Sequence, residues 1–407
     1  MQRSILLGLV LLLVSGVIIA QDDVPAIIGV RDNQVVVVND SETIIFDSAV
    51  ETVYLLDANS QGDVLFMDVR RTVIYEGALY LYDGAESRII TEDFIGNCPA
   101  YFTGDGHVVY VGNEYLERDD DMKAIVPVIQ HNYLTGESEQ IATLEVPTIG
   151  GGGGGSGYLM DHIYVAEYFS NGWGATSNLL QVNEPSVLAG HGLCGSGIRQ
   201  WNGETDFAVS TADHVALSRD ASRIVTVDYS FESDTNSVQV IDIATGDSTP
   251  IDLTDYPATV SSVHLAANGM IYLAGYRLIE PALSLSDLQD NTMASLEEYG
   301  WYQWDTTHHV FIYQIDPESG EISLFYEAFN EWVIARLSDA HGYLYWSQIP
   351  DGTPVFDAID AGEIDSSYSG DMVQDYLLPD VYRQSLTDGE AELVAENLQR
   401  FIPVPTS

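Results

Sequence analysis

The segment from Pro350 to Pro379 holds seven carboxylates and no basic residue. Carboxylate oxygens are the ligands that Ca²⁺ prefers, and carboxylates without a counter-charge repel one another until a cation binds. One interpretation is therefore that calcium orders this segment, and the other is a solvated loop. The predicted metal ligands are Asp357, Asp360, Glu363 and Asp365.

A second segment, from Leu278 to His309, supplies aromatic surface. Helix-capping residues at its start and apolar residues at helical spacing in MASLEEYGWYQW predict a short helix that runs into Trp301 and Trp304. Tryptophans supply contact area for a ligand, although they can equally form the small core of the segment itself. Together with Trp173, from another long segment, these two are the predicted ligand-binding residues.

Histidine and cysteine are the remaining residue types with special chemistry. His191, His214 and His264 fall near the starts of repeating units and offer bases or metal ligands, although scattered histidines in strands and turns are mostly structural. The two cysteines, Cys98 and Cys194, are a candidate disulfide, because outside the cytoplasm two cysteines are enough to pair.

Two stretches imitate ligand-binding motifs. The run from Asp57 to Asp68 resembles a calcium loop, but Gln61 stands at the fifth position and Asp68 replaces the bidentate Glu, so a hairpin turn is favoured. The six glycines from Gly150 to Gly155 precede no helix start and no nearby basic residue, which argues against a phosphate cradle. They form either a flexible loop or a first strand with little side-chain bulk.

Several enzyme signatures are missing from the sequence. There is no Gly-x-Ser-x-Gly nucleophile elbow, and the single lysine, Lys123, lacks the glycines of a P-loop. There is also no His-Glu-x-x-His or paired Cys-x-x-Cys zinc motif. The sequence therefore assigns no catalytic residue.

The net charge and the first residues of the chain indicate where the protein is located and which partners it can bind. Residues 1–20 have a basic residue, an apolar run and a small residue before an acidic flank, as in a secretory signal peptide, so residues 21–407 form the predicted exported domain. The formal net charge of −48 makes nucleic acid and anionic membranes poor partners. No later segment is long and apolar enough to insert in a membrane. We expect a secreted, extracellular or periplasmic monomer, and its charge serves solubility or attracts a cationic ligand.

A hairpin recurs along the chain, most cleanly from Val238 to Leu253, where alternating apolar residues enter and leave a Thr-Gly turn. A second hairpin precedes most copies, so each repeat has four strands. Seven repeats predict one all-β domain, a β-propeller with seven blades, or alternatively six or eight. The fourth repeat is placed at about Gly150 to Leu188 and the fifth at about Phe207 to Leu253.

The first repeat has material for only three strands, and RFIPVP at Arg400 to Pro405 is left over at the other end. The sequence therefore predicts a ring that the N-terminal and C-terminal strands close together, which removes the open sheet edge. The turns inside hairpins are short, whereas long segments join hairpins and repeats. These include Val187 to Asp206 and the inserts at about 278–309 and 350–379. Both kinds of long connection leave the ring on one face, where binding is expected.

The Asp-Gly and Asn-Gly turns, the strands HVVYV and MIYLA, and the closing hairpins DIATGDSTPIDL and QIDPESGEISLF resemble the TolB-like and WD-repeat-like bacterial propellers. The resemblance implies a binding or scaffold protein, here for a protein, glycan or cation ligand at the long-loop face, and transfers no catalytic residue. The alternatives are an enzyme with an axial pocket, such as a metal-dependent polysaccharide lyase, and a structural cell-surface protein. No cofactor is evident apart from calcium.

Overall fold

The computed structural model describes the parts of the chain that carry the sheets. These are residues 27–39, 41–48, 53–71, 76–95, 100–103, 106–112, 117–118, 123–147, 180–183, 186–189, 198–201, 206–210, 214–218, 222–230, 235–242, 245, 247–253, 259–281, 306–331, 333–349, 361, 378–398 and 400–404. They form strands, turns and bends only, arranged as seven antiparallel sheets. Within these ranges there is no helix with the length and apolarity to cross a membrane.

Alternating apolar residues and short turns build five of the seven sheets as two successive hairpins, and the first and third sheets depart from that pattern. The first three sheets contain β1 (Ile27–Arg31), β2 (Gln34–Val38), β3 (Glu42–Asp47); β4 (Val53–Ala58), β5 (Val64–Arg71), β6 (Glu76–Tyr82), β7 (Ser87–Ile95); and β8 (Ala100–Phe102), β9 (His107–Val111), β10 (Glu117–Arg118), β11 (Lys123–Asn132), β12 (Glu137–Pro147).

The fourth and fifth sheets contain β13 (Leu180–Asn183), β14 (Ser186–Ala189), β15 (Ile198–Trp201), β16 (Asp206–Ser210); and β17 (His214–Leu217), β18 (Arg223–Ser230), β19 (Thr235–Asp242), β20 (Ser248–Ile251). The last two contain β21 (Thr259–Leu265), β22 (Ile271–Pro281), β23 (Thr306–Ile315), β24 (Ile322–Glu331); and β25 (Val333–Ala340), β26 (Tyr343–Ile349), β27 (Asp380–Ser385), β28 (Glu392–Ala395).

The final strand, β29 (Arg400–Pro403), belongs to the first sheet, whose spatial order is β29-β1-β2-β3. It pairs antiparallel with β1, and Ile402 lies opposite Ile28. Phe401 is fully buried and packs with Ile27 and Leu398. The C-terminal strand thus completes a sheet for which the N-terminal part supplies three strands.

The first strands of neighbouring sheets contact one another: β29 contacts β25 and β4, β4 contacts β8, and β21 contacts β17 and β25. These strands therefore lie innermost. In five of the seven sheets the other strands follow outward in chain order, whereas β1 to β3 follow β29 in the first sheet. In the third sheet β9 and β11 follow β8, and β11 pairs with both β10 and β12. Apolar clusters fill the space between sheets; one joins Trp346 of β26 to Tyr272 of β22. This is the predicted all-β propeller, with four strands in six of the described sheets and five in the third, and the fold prediction is confirmed.

The fourth and fifth repeats differ from their predicted positions. The segment from Val187 to Asp206 was expected to be a long loop, but it contains β15 and most of β14. The hairpin at Leu179 to Leu188 was expected to end the fourth repeat, but it corresponds to β13 and β14, the first two strands of that sheet, and β16 completes the sheet instead of opening the next one. Closely spaced glycines between short strands hid the alternation in this region.

The two large inserts are bounded by strands. Because β22 ends at Pro281 and β23 begins at Thr306, the first insert comprises residues 282–305. The second follows β26 and precedes β27, so both join the second and third strands of a sheet. In an antiparallel sheet such connections leave at the end opposite to the hairpin turns, so both inserts emerge on the same face of the propeller, which we call the long-loop face.

Candidate functional site

Irregularities in the innermost strands determine which side chains face the centre of the ring. The pairing register shifts in β4 between Leu55 and Asp57 and in β25 between Ile334 and Arg336. A β-bulge inserts one extra residue and redirects the side chains that follow it. Asp57 and Arg336 therefore occupy the same position relative to the bulge in two different blades.

Arg336 and Arg400 bring two guanidinium groups to the centre of the ring. The Arg400 guanidinium carbon lies 3.7 Å from the centre of the Tyr54 ring, and that of Arg336 lies 5.9 Å from the centre of the fully buried Phe401 ring. A guanidinium over an aromatic face is attracted by the ring quadrupole, which holds both side chains in place.

Asp57 supplies the carboxyl group of this cluster. Its Oδ2 accepts a hydrogen bond of 2.8 Å from the backbone amide of Phe102 in β8, and its Oδ1 accepts one of 2.8 Å from the amide of Ala58. We name the set Tyr54, Asp57, Arg336 and Arg400 the axial cluster. Its members come from β4, β25 and β29, which are innermost strands of three neighbouring sheets.

Burial controls the protonation of the axial cluster. Desolvation raises the pKa of Asp57 to about 7, against the lowering effects of the Phe102 and Ala58 amides and of the Arg336 charge. Desolvation lowers the pKa of Arg336 to about 10, helped by the like charge of Arg400 and opposed by Asp57. At neutral pH the cluster therefore holds two cations and a carboxyl group that exchanges its proton.

The cluster extends along the axis because its residues stand at different heights in their strands. Arg400 begins β29 and Tyr54 is near the start of β4, whereas Asp57 is next to the hairpin turn that follows β4. Arg336 lies halfway along β25. Since the first strand of each sheet starts at the long-loop face, a ligand that enters there meets Arg400 first and Asp57 last.

His264, one of the three predicted histidines, joins two blades. Its Nε2 lies 2.6 Å from Oδ1 of Asp339, and the amide of Ala267 donates to Oδ2 of the same carboxylate at 3.1 Å. His264 is in β21 and Asp339 in β25, so this contact ties the sixth blade to the seventh. His214 lies in β17, and His191 falls outside the described residues.

The other predicted site residues fall outside the ranges that the structure describes. They are Trp173, Trp301, Trp304, Asp357, Asp360, Glu363, Asp365, Cys98 and Cys194, as well as residues 1–20. Among described residues, no group of three or more His, Cys, Asp or Glu side chains is placed to hold a metal ion. The predicted ligand and metal sites therefore stay predictions.

The imitation of a calcium loop is a hairpin turn, as favoured from the sequence. β4 and β5 flank it, with Ala58 opposite Val64, and the Asn59 side chain accepts hydrogen bonds from the amides of Gln61 and Asp63. Asp57 lies in β4 just before this turn, and its side chain belongs to the axial cluster.

Sequence reasoning missed the axial cluster, although a signal for part of it was present. Asp57 and Asp339 occur in the similar tetrapeptides LLDA and LSDA, each at the end of a first strand. Arg336 lies just before the second one, in a chain with only 14 basic residues. Comparing repeats at this position would have selected Asp57 and Asp339, with Arg336 as the residue next to the second motif.

No known family model matches the sequence, and no curated relative matches it. Among solved structures, the β-propeller domain of the Trilobed protease from Pyrococcus furiosus has a TM-score of 0.50 and 13% identity, covering 91% of this chain and 93% of that one. TolB from Acinetobacter baumannii has a TM-score of 0.38 and 12% identity over 76% of this chain and 67% of that one. The first of these supports the predicted propeller resemblance at the level of the fold. The Pyrococcus domain is described as having an open velcro topology, whereas here β29 pairs with β1.

Proposed function

We propose that this β-propeller is a secreted or envelope-located ligand-binding protein, and that a protein or glycan ligand enters from the long-loop face and reaches the axial cluster. The convergence of Arg336, Arg400 and Asp57 from three blades is the observation that carries the proposal. Charged side chains in a partly enclosed position lose hydration, and a ligand of complementary charge offsets that cost, which supports a binding role over a purely structural one.

The proposed location rests on the amino-acid sequence. Residues 1–20 have the order of charge, apolar run and small residue that secretory signals share. The strongly acidic composition suits a protein that stays dissolved and does not adhere to nucleic acid.

The inserts supply the outer part of the proposed site. Trp301 and Trp304 in one insert offer aromatic contact area, and the carboxylates of the other offer selectivity for positive groups. The strands that bound both inserts end on the long-loop face, which supports the proposal that the inserts contribute to the entrance that leads to Arg400.

The test starts with a glycan array and envelope extracts probed with the full chain, and each hit is then titrated directly by calorimetry. Replacing both Trp301 and Trp304 with alanine should weaken binding by at least about 1 kcal/mol. The matched control replaces Glu137, Asp247 and Glu321, which are exposed at hairpin turns on the opposite face, and should leave affinity unchanged. Loss of binding in the control with full binding in the tryptophan variant would place the site on the other face.

The enzyme hypothesis requires histidines that hold a metal near the axis. Nε2 of His264 bonds Asp339 of the next blade, a contact that is compatible with both hypotheses because metal-ligating histidines also bond carboxylates through one ring nitrogen. Elemental analysis of the purified protein, followed by substitution of His214 and His264, separates the two. A stoichiometric metal that both substitutions remove would favour the enzyme.

A further inference from the structure

The Arg336 guanidinium is the feature of the axial cluster that the contacts leave incomplete. Arg400 and Asp57 influence it electrostatically and Phe401 packs against it, but within the described part of the chain no side-chain or backbone oxygen accepts a hydrogen bond from it. A guanidinium carries five N–H donors, and those of Arg336 are not among the buried unpaired atoms of the described residues, so they are open to an acceptor on a ligand. The side chain is partly exposed, so a small ligand has access to it.

We propose that the axial cluster binds a carboxylate group, which the Arg336 guanidinium holds through two parallel hydrogen bonds while Arg400 adds a second positive charge and Asp57 faces the bound group. This deepens the proposed function, because it names the chemical group by which the ligand is recognised. The fork of donors on a guanidinium matches the two oxygens of a carboxylate.

The charges of the cluster select against other ligand classes. A cation would meet two guanidinium groups at this position. A phosphate dianion would place a second negative charge next to Asp57 in an enclosed site, where the interaction of like charges is stronger than in water. A single negative charge on a planar group is what the site accommodates, and acetate is the smallest probe with that chemistry.

Asp57 makes this binding dependent on pH. The groups that act on its carboxyl are the amides of Ala58 and Phe102 and the guanidinium of Arg336, and Arg400 acts in turn on Arg336. A bound carboxylate adds a negative charge beside Asp57 and raises the pKa of Asp57 further above about 7. Binding therefore takes up a proton when the free protein has lost it, and affinity is highest below pH 7 and falls as the pH rises above 7.

The experiment titrates the full chain with sodium acetate by calorimetry and by NMR of ¹³C-labelled acetate, at pH 6 and pH 8.5. Acetamide, which has the same shape without charge, and inorganic phosphate serve as comparison probes. We expect one saturable acetate site that acetamide does not occupy and phosphate occupies more weakly. Affinity should fall by about tenfold at the higher pH.

Three variants test the assigned roles. Arg336→Gln should weaken acetate at least about tenfold, and Arg336→Lys should restore only part of it because a lysine cannot form the two parallel bonds. Asp57→Asn should keep binding at pH 6 and remove its pH dependence. The control is Arg88→Gln on the outermost strand β7, which removes the same charge from an exposed site and should change nothing.

The outcomes separate this inference from the proposed function. Three results would overturn the carboxylate assignment. They are a titration that acetate does not saturate, a loss of acetate affinity in Arg88→Gln equal to that in Arg336→Gln, and tighter binding of phosphate than of acetate. If a glycan or protein ligand binds Arg336→Gln as tightly as it binds the parent, the proposed function holds but recognition of a carboxylate by Arg336 is wrong. If acetate binds but no larger ligand binds at the long-loop face, the carboxylate site is supported and the proposed function is wrong.

Discussion

Asp57 shows how one partly buried carboxyl group makes the stability of the fold depend on pH. In an unfolded chain an Asp side chain has a pKa of about 3.9, whereas burial raises the pKa of Asp57 to about 7. Between these values the native state binds a proton that the unfolded state does not. The stability that Asp57 contributes therefore falls as the pH rises from about 4 to about 7, and the loss persists at higher pH.

Replacing Asp57 with Asn should stabilise the protein at pH 8 and have a much smaller effect at pH 4.5, because an amide keeps the acceptor for Phe102 and carries no charge to desolvate. The gain at pH 8 should amount to a few kcal/mol at most, since the side chain keeps some exposure. Urea unfolding at both pH values measures it. Asp388→Asn, at an exposed turn, is the control, and a gain that is equal at both pH values would contradict the assignment.

Asp339 is a second single residue with an effect beyond its own blade, because it joins the sixth blade to the seventh. Asp339→Ala removes the acceptor for the partly buried His264 and for the exposed amide of Ala267, and loss of a typical hydrogen bond costs about 0.5–1.5 kcal/mol. We expect a lower midpoint of thermal unfolding, with a smaller loss for Asp339→Asn, which retains an acceptor oxygen. Glu390→Ala at an exposed turn is the control. An unchanged midpoint in Asp339→Ala would show that water replaces the contact.

At the scale of the elements, β29 is the strand on which the first sheet depends. It covers the edge of β1, and Gly29 in β1 is required there because a Cβ atom would lie 2.4 Å from the Leu398 side chain. Arg31 reaches across to the backbone oxygens of Glu396 and Asn397, so the chain before β29 is also fixed to β1.

Deleting residues 399–407 should lower the midpoint of thermal unfolding by many degrees, because it exposes the edge of β1 and removes the buried Phe401 ring. Deleting only residues 405–407, which follow β29, is the matched control and should have little effect. Differential scanning calorimetry of both variants gives the comparison. Equal midpoints in the parent and in the longer deletion would refute the role of β29.

The elements were more predictable than the site because alternation and turn residues act locally. The hairpin at Phe311 to Tyr326 corresponds to β23 and β24, and Gly320 has the positive φ of 72° that its turn requires. The axial cluster depends on bulges, which shift the alternation, and on contacts such as that of Arg400 with Tyr54, which no local pattern contains. Around Val187 to Asp206 glycines obscured even the strands.

At the scale of the whole molecule, the formal charge of −48 has two effects. The carboxylates repel one another within the folded chain, and they repel anions that approach its surface. The Debye length is about 8 Å at physiological ionic strength, so surface carboxylates are screened while Arg336 and Arg400 act at close range inside the ring. Added salt should therefore speed the approach of an anionic ligand, unlike the usual case of opposite charges.

Calcium binding would change the charge of the whole molecule, because each Ca²⁺ ion neutralises part of it. We expect that calcium protects residues 350–379 from limited proteolysis, because a divalent ion relieves the repulsion among Asp357, Asp360, Glu363 and Asp365. Replacing these four with the corresponding amides should abolish the protection, and magnesium serves as a control ion. Equal cleavage with and without calcium would identify a solvated loop.

The pairing of β29 with β1 also governs the order of events when the chain folds. Arg31 and Asn397 are 366 residues apart in the chain, so the first sheet cannot be finished until β29 has been synthesised. Until then β1 presents an open edge to every other molecule nearby. Two incomplete chains can satisfy their edges by exchanging their last strands, so crowded synthesis favours domain-swapped dimers in which each ring carries its neighbour's β29.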